Sequence, residues 1–160
     1  MTIAKGDRIP DVQVMLASDG GPDAIQTAEL FAGKKTAFFA VPGAFTPTCS
    51  AKHLPGFVEK KDMFDAKGVD QIVCMSVNDA FVMDAWAKDQ EAYGKVVMVA
   101  DGNGDFTQAL GLAMDGKGFG MGLRSKRFSM IVNDGVVEEL NVEEGGAFEV
   151  SSADYMLGQL

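Results

Sequence analysis

Cysteine is nearly absent from these 160 residues: there are two, Cys49 and Cys74, beside a single histidine, His53. Two cysteines do not make a disulfide framework, and a chain of this length has room for a hydrophobic core that needs none. Nor do they make a structural zinc site, because Cys49 and His53 stand one helical turn apart and no spacing points to further ligands. We expect no metal. Basic residues are also few, 14 against 23 acidic, and the net charge of −9 argues against nucleic acid or an anionic membrane surface as partner. No segment approaches the roughly 18 consecutive apolar residues of a membrane span. The opening Met1-Thr2-Ile3-Ala4-Lys5-Gly6-Asp7 lacks the apolar stretch of a signal peptide. There are no repeats, linkers or low-complexity segments. An apolar fraction of 47% with 23% charged residues is ordinary for a globular chain. These absences lead us to expect one domain over residues 1–160, soluble and cytoplasmic.

What is present concentrates in eight residues, Pro42-Gly43-Ala44-Phe45-Thr46-Pro47-Thr48-Cys49. Pro42 ends the apolar run Thr36–Val41, and the cysteine falls where a strand gives way to a helix. A thiol in a first helical turn faces unpaired backbone N–H groups and the positive end of the helix dipole. Both favour the thiolate, the nucleophilic form. Thr46 offers a hydroxyl that donates and accepts, and Pro42 can shield the sulfur. The dipole contributes only about 0.3–1 kcal/mol at an exposed terminus, so a cation is also required. Arg124, Lys126 and Arg127 cluster before the run Phe128–Val132, and an arginine suits the task because it stays charged and its fork can bridge two atoms.

The pattern along the chain predicts strands at Val12–Leu16 (a short alternating run read as an edge strand), Thr36–Val41, Gln71–Ser76 and the β-branched run Lys95–Ala100. Gly20-Gly21-Pro22-Asp23 reads as a turn and Thr27–Phe31 as a short helix. A long helix is expected from Thr48 to Lys67, with Leu54, Phe57, Val58 and Phe64 on one side and a kink at Pro55. Asn78 or Asp79 could cap a helix over Ala80–Lys88. Phe106–Leu110 reads as helix and Gly116–Gly122 as loop. Phe128–Val132 and Val136–Leu140 flank Asn133-Asp134-Gly135, a hairpin signal. A closing helix runs from Ser152 or Asp154 to Leu160. Strands alternating with helices, then a hairpin and a last helix, give an α/β fold with a mixed central sheet and helices on both faces.

Two imitations of ligand sites fail on inspection. Gly111-x-x-x-x-Gly116-Lys117 carries Gly118 where a phosphate loop needs Ser or Thr. Asp101-Gly102-Asn103-Gly104-Asp105 starts like a calcium loop, but Phe106 replaces its glycine and Leu112 its bidentate glutamate.

Pro42-x-x-x-Thr46-x-x-Cys49 resembles the active-site signature of the peroxiredoxins. The run Val41–Ser50 with His53-Leu54-Pro55-Gly56-Phe57, then Cys74–Val82, Lys126–Met130 and Asn141-Val142-Glu143…Ser151-Ser152-Ala153-Asp154, is similar to the peroxiredoxin-5 or type II branch. The likeness runs in order over nearly the whole chain. It implies a thioredoxin-like fold and peroxidase activity toward hydrogen peroxide and alkyl hydroperoxides, with no cofactor. It implies Cys49 as the peroxidatic residue, completed by Pro42, Thr46 and Arg127, with Arg124 as the second candidate for the cation. It also implies a homodimer with loops packed near the active sites, for which Phe45, Phe81 and Gly118–Gly122 are candidates.

Attack on peroxide leaves a sulfenic acid that another thiol must resolve. Within the chain only Cys74 is available, a candidate resolving residue whose mid-strand position reads equally as a small buried hydrophobe. Pairing it with Cys49 requires local unwinding of the Cys49 helix. We therefore expect recycling by glutathione and glutaredoxin. The alternatives are a Cys49–Cys74 disulfide reduced by thioredoxin, and a peroxide-sensing relay or holdase. A disulfide oxidoreductase is disfavoured because Cys49-Ser50-Ala51-Lys52 lacks a second cysteine.

Overall fold

Residues 2–18 and 21–160 are described by a computed structural model. Gly20 of the expected turn lies outside the described residues. Seven strands form one sheet in the order β2-β1-β5-β4-β3-β8-β9. The strands are β1 (Gln13–Leu16), β2 (Asp23–Gln26), β3 (Lys35–Ala40), β4 (Gln71–Ser76), β5 (Val97–Ala100), β8 (Phe128–Asn133) and β9 (Val136–Val142). β3, β4 and β5 run parallel, whereas β8 pairs antiparallel with β3 and β9, and β1 with β2 and β5. A separate two-stranded hairpin pairs β6 (Ala113–Asp115) with β7 (Leu123–Ser125).

Side chains alternate across the sheet and make two cores. Ala37, Phe39, Ile72, Cys74 and Ile131 face one side, where α2 (Leu54–Glu59), α3 (Lys61–Ala66), α4 (Ala80–Asp89) and α6 (Ala153–Leu157) contribute Leu54, Phe57, Phe64, Met83, Trp86 and Met156. Phe38, Ala40, Val73, Met75, Met130 and Val132 face the other, under α1 (Thr27–Phe31) and α5 (Asp105–Leu110), which supply Phe31, Phe106 and Leu110. The adjacent Phe38 and Phe39 thus anchor opposite layers, as the two-residue period of a strand demands. This is the mixed sheet with helices on both faces, a thioredoxin-like fold.

Several expectations need correction. β1 is not an edge strand: it lies between β5 and β2, and β2 forms the edge. β2 is only four residues, none of them buried, so no alternation announces it. The long helix does not run unbroken from Thr48 to Lys67. Its first turn widens into a π-helical segment at Cys49–His53, where the Leu54 N–H reaches back to the Cys49 carbonyl. Pro55, one residue on, has no N–H for an ordinary helical bond and its ring crowds the preceding turn; the wider π turn accommodates both. A second break at Lys60 (φ −103°, ψ 14°) separates α2 from α3. The stretch Gly116–Gly122 is a loop as expected, joining β6 to β7 and containing a 3₁₀ turn at Lys117–Phe119. The helix α6 ends at Leu157, three residues early, at Gly158.

Caps explain where the helices begin. Asp79, not Asn78, caps α4, its Oδ1 accepting from the Val82 N–H at 2.8 Å. Asn78 Oδ1 instead accepts from the Ala44 N–H (3.0 Å) and the Ser76 hydroxyl, which ties the loop before Cys49 to the end of β4. Ser152 Oγ accepts from the Tyr155 N–H at the start of α6. Asp101, the first residue of the calcium-like stretch, is buried, and its carboxylate accepts from the Phe106 and Thr107 N–H groups and the Thr107 hydroxyl. At the β8–β9 turn Asp134 and Gly135 take φ values of 48° and 80°, the left-handed pair a tight hairpin requires. Among the described residues no helix is long and apolar enough to cross a membrane.

Candidate active site

The C-terminal ends of β3 and β4 open onto the loop 41–48, and this loop delivers Cys49 into the widened π turn. Gly43 lies deep in it: a Cβ there would sit 3.1 Å from Thr46 Cγ2 and 3.3 Å from Met121 Cε, so even a methyl group would require the Thr46 or Met121 side chain to give by a few tenths of an ångström. Phe45 adopts φ 64°, uncommon for a non-glycine residue, and its half-exposed ring lies 6.5 Å from that of the buried Trp86. Below it the Trp86 indole N–H donates to Ser50 Oγ at 2.9 Å, holding the turn that carries the cysteine.

The Cys49 sulfur is fully buried, and Arg127 Nη2 donates to it at 2.9 Å across 78 residues of sequence. A guanidinium has no lone pair to offer, so the sulfur must be the acceptor, a role that suits the anion better than the thiol. The other arm of the fork, Nη1, donates to His53 Nδ1 at 2.8 Å. His53 Nε2 lies 2.9 Å from the Ser151 carbonyl, which can only accept. The proton therefore resides on Nε2 and the lone pair on Nδ1, facing the arginine. Burial and the neighbouring Arg127 charge push the His53 pKa down to about 3, against a partial pull upward from the Ser151 carbonyl. The ring is neutral at any ordinary pH. Phe39, Phe57 and Phe148 pack around it, with ring centroids 4.7, 5.8 and 5.0 Å from the imidazole.

Thr46 directs its hydroxyl proton to the Gly43 carbonyl at 2.7 Å, which leaves the oxygen's lone pairs available to a guest. Thr46, Pro42, Thr48 and Arg127 together line a cavity of about 940 Å³ that continues over Met114, Phe119, Met121 and Val142 to a rim at Lys126 and Glu144. Such a mouth accepts a small polar molecule at its base and apolar groups along its wall. Arg124 serves elsewhere: it donates to the Met121 and Val77 carbonyls at 2.9 and 3.1 Å and pins the hairpin to the loop after β4.

Cys74 lies at the centre of β4, opposite Phe39 of β3 and Met98 of β5, in the same buried cluster as Cys49. Burial pushes its thiol pKa well above the ordinary value and a charge on Cys49 pushes it further, with Arg127 acting weakly the other way. Cys74 stays protonated there. The sequence marks His53 as a candidate metal ligand and a point of family likeness, but not its hold on Arg127. The signal was its place one turn after Cys49, but the partner lies 74 residues downstream. Glu143 and Ser151 were noted only as points of family likeness.

A family model described as Redoxin matches residues 4–157. Peroxiredoxin-2B of Arabidopsis thaliana is 51% identical over 161 residues, which cover 99% of this chain and 98% of that protein. The chloroplastic peroxiredoxin-2E-2 of Oryza sativa subsp. japonica is 53% identical over 165 residues, covering 99% of this chain and 73% of its own length. Among solved structures, reduced Prx3 of Vibrio vulnificus in complex with hydrogen peroxide matches with a TM-score of 0.95 and 51% identity over 99% of each chain. A buried cysteine under an arginine fork, on this fold and with these relatives, identifies the chain as a peroxiredoxin of the type II branch, a thiol-dependent peroxidase of the redoxin family.

Proposed function

We propose that Cys49 is the peroxidatic nucleophile and that Arg127, Thr46 and Pro42 form the peroxide site around it, within one catalytic domain spanning residues 1–160. The observation that carries this reading is the 2.9 Å contact to the buried Cys49 sulfur from Nη2 of Arg127, which itself lines the cavity. The thiolate attacks one peroxide oxygen, the O–O bond breaks, and its electron pair leaves on the second oxygen. That oxygen takes up a proton and departs as water or an alcohol, while Cys49 becomes a sulfenic acid. Arg127 can follow the negative charge from sulfur to the leaving oxygen, and Thr46 Oγ can accept from a peroxide O–H. The apolar wall of Met114, Phe119, Met121 and Val142 supports alkyl hydroperoxides as substrates beside hydrogen peroxide. Stopped-flow mixing tests the reading: Cys49 oxidises faster than a free thiol. A rate no faster than a free thiol would defeat it and leave the peroxide-sensing relay or holdase in its place.

The reductant in this reading is glutathione, with glutaredoxin completing the cycle. Glutathione thiolate attacks the sulfenic sulfur and expels hydroxide, which takes up a proton to become water; the resulting mixed disulfide is then cleaved by a second thiol, which releases Cys49. The state of Cys74 supports an external thiol. A resolving residue must attack as a thiolate, and Cys74 is held protonated in a strand bonded on both sides. The Cys74→Ser variant is therefore expected to keep turnover with glutathione and glutaredoxin. Loss of that turnover, with Cys49 stalled as sulfenic acid, would favour a Cys49–Cys74 disulfide reduced by thioredoxin. Mass spectrometry after one equivalent of peroxide separates the two.

The enzyme works as a homodimer in this reading. Phe45, Phe81 (71% exposed), Phe119 (85%) and Leu123 leave apolar surface that a second copy could cover, and Phe119 lines the cavity of the site. A cytoplasmic location, to be checked by cell fractionation, is supported by the unpaired thiols of Cys49 and Cys74, which suit a reducing compartment.

A further inference from the structure

The segment between β9 and α6 is closed on itself by one carboxylate. Glu143, the residue after β9, is buried, and its Oε2 accepts from the Glu149 N–H (2.7 Å), the Ser151 N–H (2.9 Å) and the Ser151 hydroxyl (2.6 Å). Its own N–H donates to the Arg127 carbonyl at 2.9 Å, so the same residue grips the backbone of the arginine. Ser151 is fully buried, and its carbonyl is the acceptor for His53 Nε2. Phe148, within the closed segment, lies 5.8 Å from the Arg127 guanidinium carbon and 5.0 Å from the His53 ring. A continuous set of contacts therefore joins Glu143 to the sulfur through Ser151, His53 and Arg127.

We infer that Glu143 is a positioning residue for peroxide reduction: its carboxylate closes the 143–151 segment, whose Ser151 carbonyl orients His53 and, through it, the Arg127 fork on the Cys49 sulfur. The argument is one of degrees of freedom. A guanidinium on a long flexible side chain makes a directed contact only when its second arm is held as well. Here the second arm is held by His53 Nδ1, which presents a lone pair only while Nε2 keeps its proton on the Ser151 carbonyl. That carbonyl belongs to a loop backbone whose local ties include two N–H groups converging on one carboxylate oxygen. Three donors on one oxygen also call for the ionised form. Burial opposes the charge, but the Ser151 hydroxyl and the backbone N–H groups of Ser151, Glu149 and Val150 outweigh it and hold the Glu143 carboxyl below its ordinary pKa. Glu143 borders the cavity, but its carboxylate is turned to Glu149 and Ser151 and reaches the sulfur only through this chain of contacts. The inference rests on Arg127 serving Cys49, as proposed above.

A double-mutant cycle tests it. Glu143→Gln keeps the side-chain shape and an acceptor oxygen but removes the charge that gathers three donors. The second-order rate of Cys49 oxidation by hydrogen peroxide is measured by stopped flow in the parent, Glu143→Gln, Arg127→Gln and the double variant. We expect Glu143→Gln to slow the parent by about tenfold, the scale seen when an orienting partner is removed from a reactive site. It should cost nothing further once Arg127 is gone, because coupled residues are non-additive. An unchanged rate in the parent background overturns the inference, and so does an equal loss in both backgrounds, which would mark a merely structural residue. If Glu143→Gln does not fold by circular dichroism, the same cycle is run with Ser151→Ala, which deletes one donor to Glu143 and keeps the carbonyl that holds His53; the same two outcomes overturn it. A full rate in Arg127→Gln alone would instead overturn the assignment of Arg127.

Discussion

Arg127→Gln is expected to slow the reaction of Cys49 with hydrogen peroxide by about 10²–10³-fold, the loss found when a preorganised donor to developing charge is removed. Arg127 brings a positive charge and a fork of donors to a fully buried sulfur, with one arm on Sγ and the other on His53. As the O–O bond breaks, charge passes from sulfur to the departing oxygen a bond length or two away, and the fork can serve both without reorganising. Glutamine keeps donors but loses the charge. Arg127→Lys should fall between, because an ammonium keeps the charge but cannot hold sulfur and imidazole together in one plane. Stopped-flow rates for the three proteins at one pH decide the matter. An Arg127→Gln rate within threefold of the parent would remove Arg127 from the peroxide step.

The second large effect is on stability in acid. His53 binds a proton at pH 6.5 as an ordinary imidazole but only at about 3 in the folded protein, because burial and the Arg127 charge oppose the cation. Between those values the unfolded chain takes up a proton that the folded chain refuses, so acidification favours unfolding. The stability is fully present above pH 6.5 and falls by about 1.4 kcal/mol for each unit below it, until the folded ring itself titrates. Moving from pH 7.5 to 5.0 should therefore cost about 2 kcal/mol through this one residue, a large share of the 5–15 kcal/mol typical of a domain. His53→Gln removes the titration while offering a donor to Ser151 and an acceptor to Arg127. Urea unfolding at the two pH values should show the variant losing about 2 kcal/mol less than the parent. Equal losses in both would show that His53 is not held neutral by the fold.

The elements legible from the chain were those whose pattern is local. Gln71–Ser76 and Thr27–Phe31 form over the residues their local pattern suggests, and Asp134-Gly135 turns the hairpin by its own backbone preference. β2 was illegible because its four residues bury nothing and form a strand only by pairing with β1. The β6–β7 hairpin was hidden by glycines that read as loop until Ala113, Met114 and Asp115 found Ser125, Arg124 and Leu123. At Pro55 the residue type foretold a disturbance but not its form: the chain inserts a π turn over Cys49–His53, ending two residues earlier, and that turn carries Cys49.

The site divides the same way. Pro42, Thr46 and Cys49 are drawn together by eight consecutive residues, so their grouping follows from chain connectivity, and their spacing already names a reactive thiol. Arg127 could be nominated from its neighbours, yet Arg124 and Lys126 share that neighbourhood. The choice fell to the pairing of β8 with β3, which turns Arg127 toward the sulfur, while the β6–β7 hairpin directs Arg124 to Val77 and Met121. His53, Ser151 and Glu143 carry no local mark of their role. A buried neutral imidazole and a carboxylate gathering three donors are properties of an enclosure, and an enclosure exists only once distant segments have packed. Residue type and short spacing thus settle which chemistry the chain carries. Charge placement, protonation state and the burial of both thiols arise from contacts tens of residues apart, because only the assembled core excludes the water that would otherwise screen them.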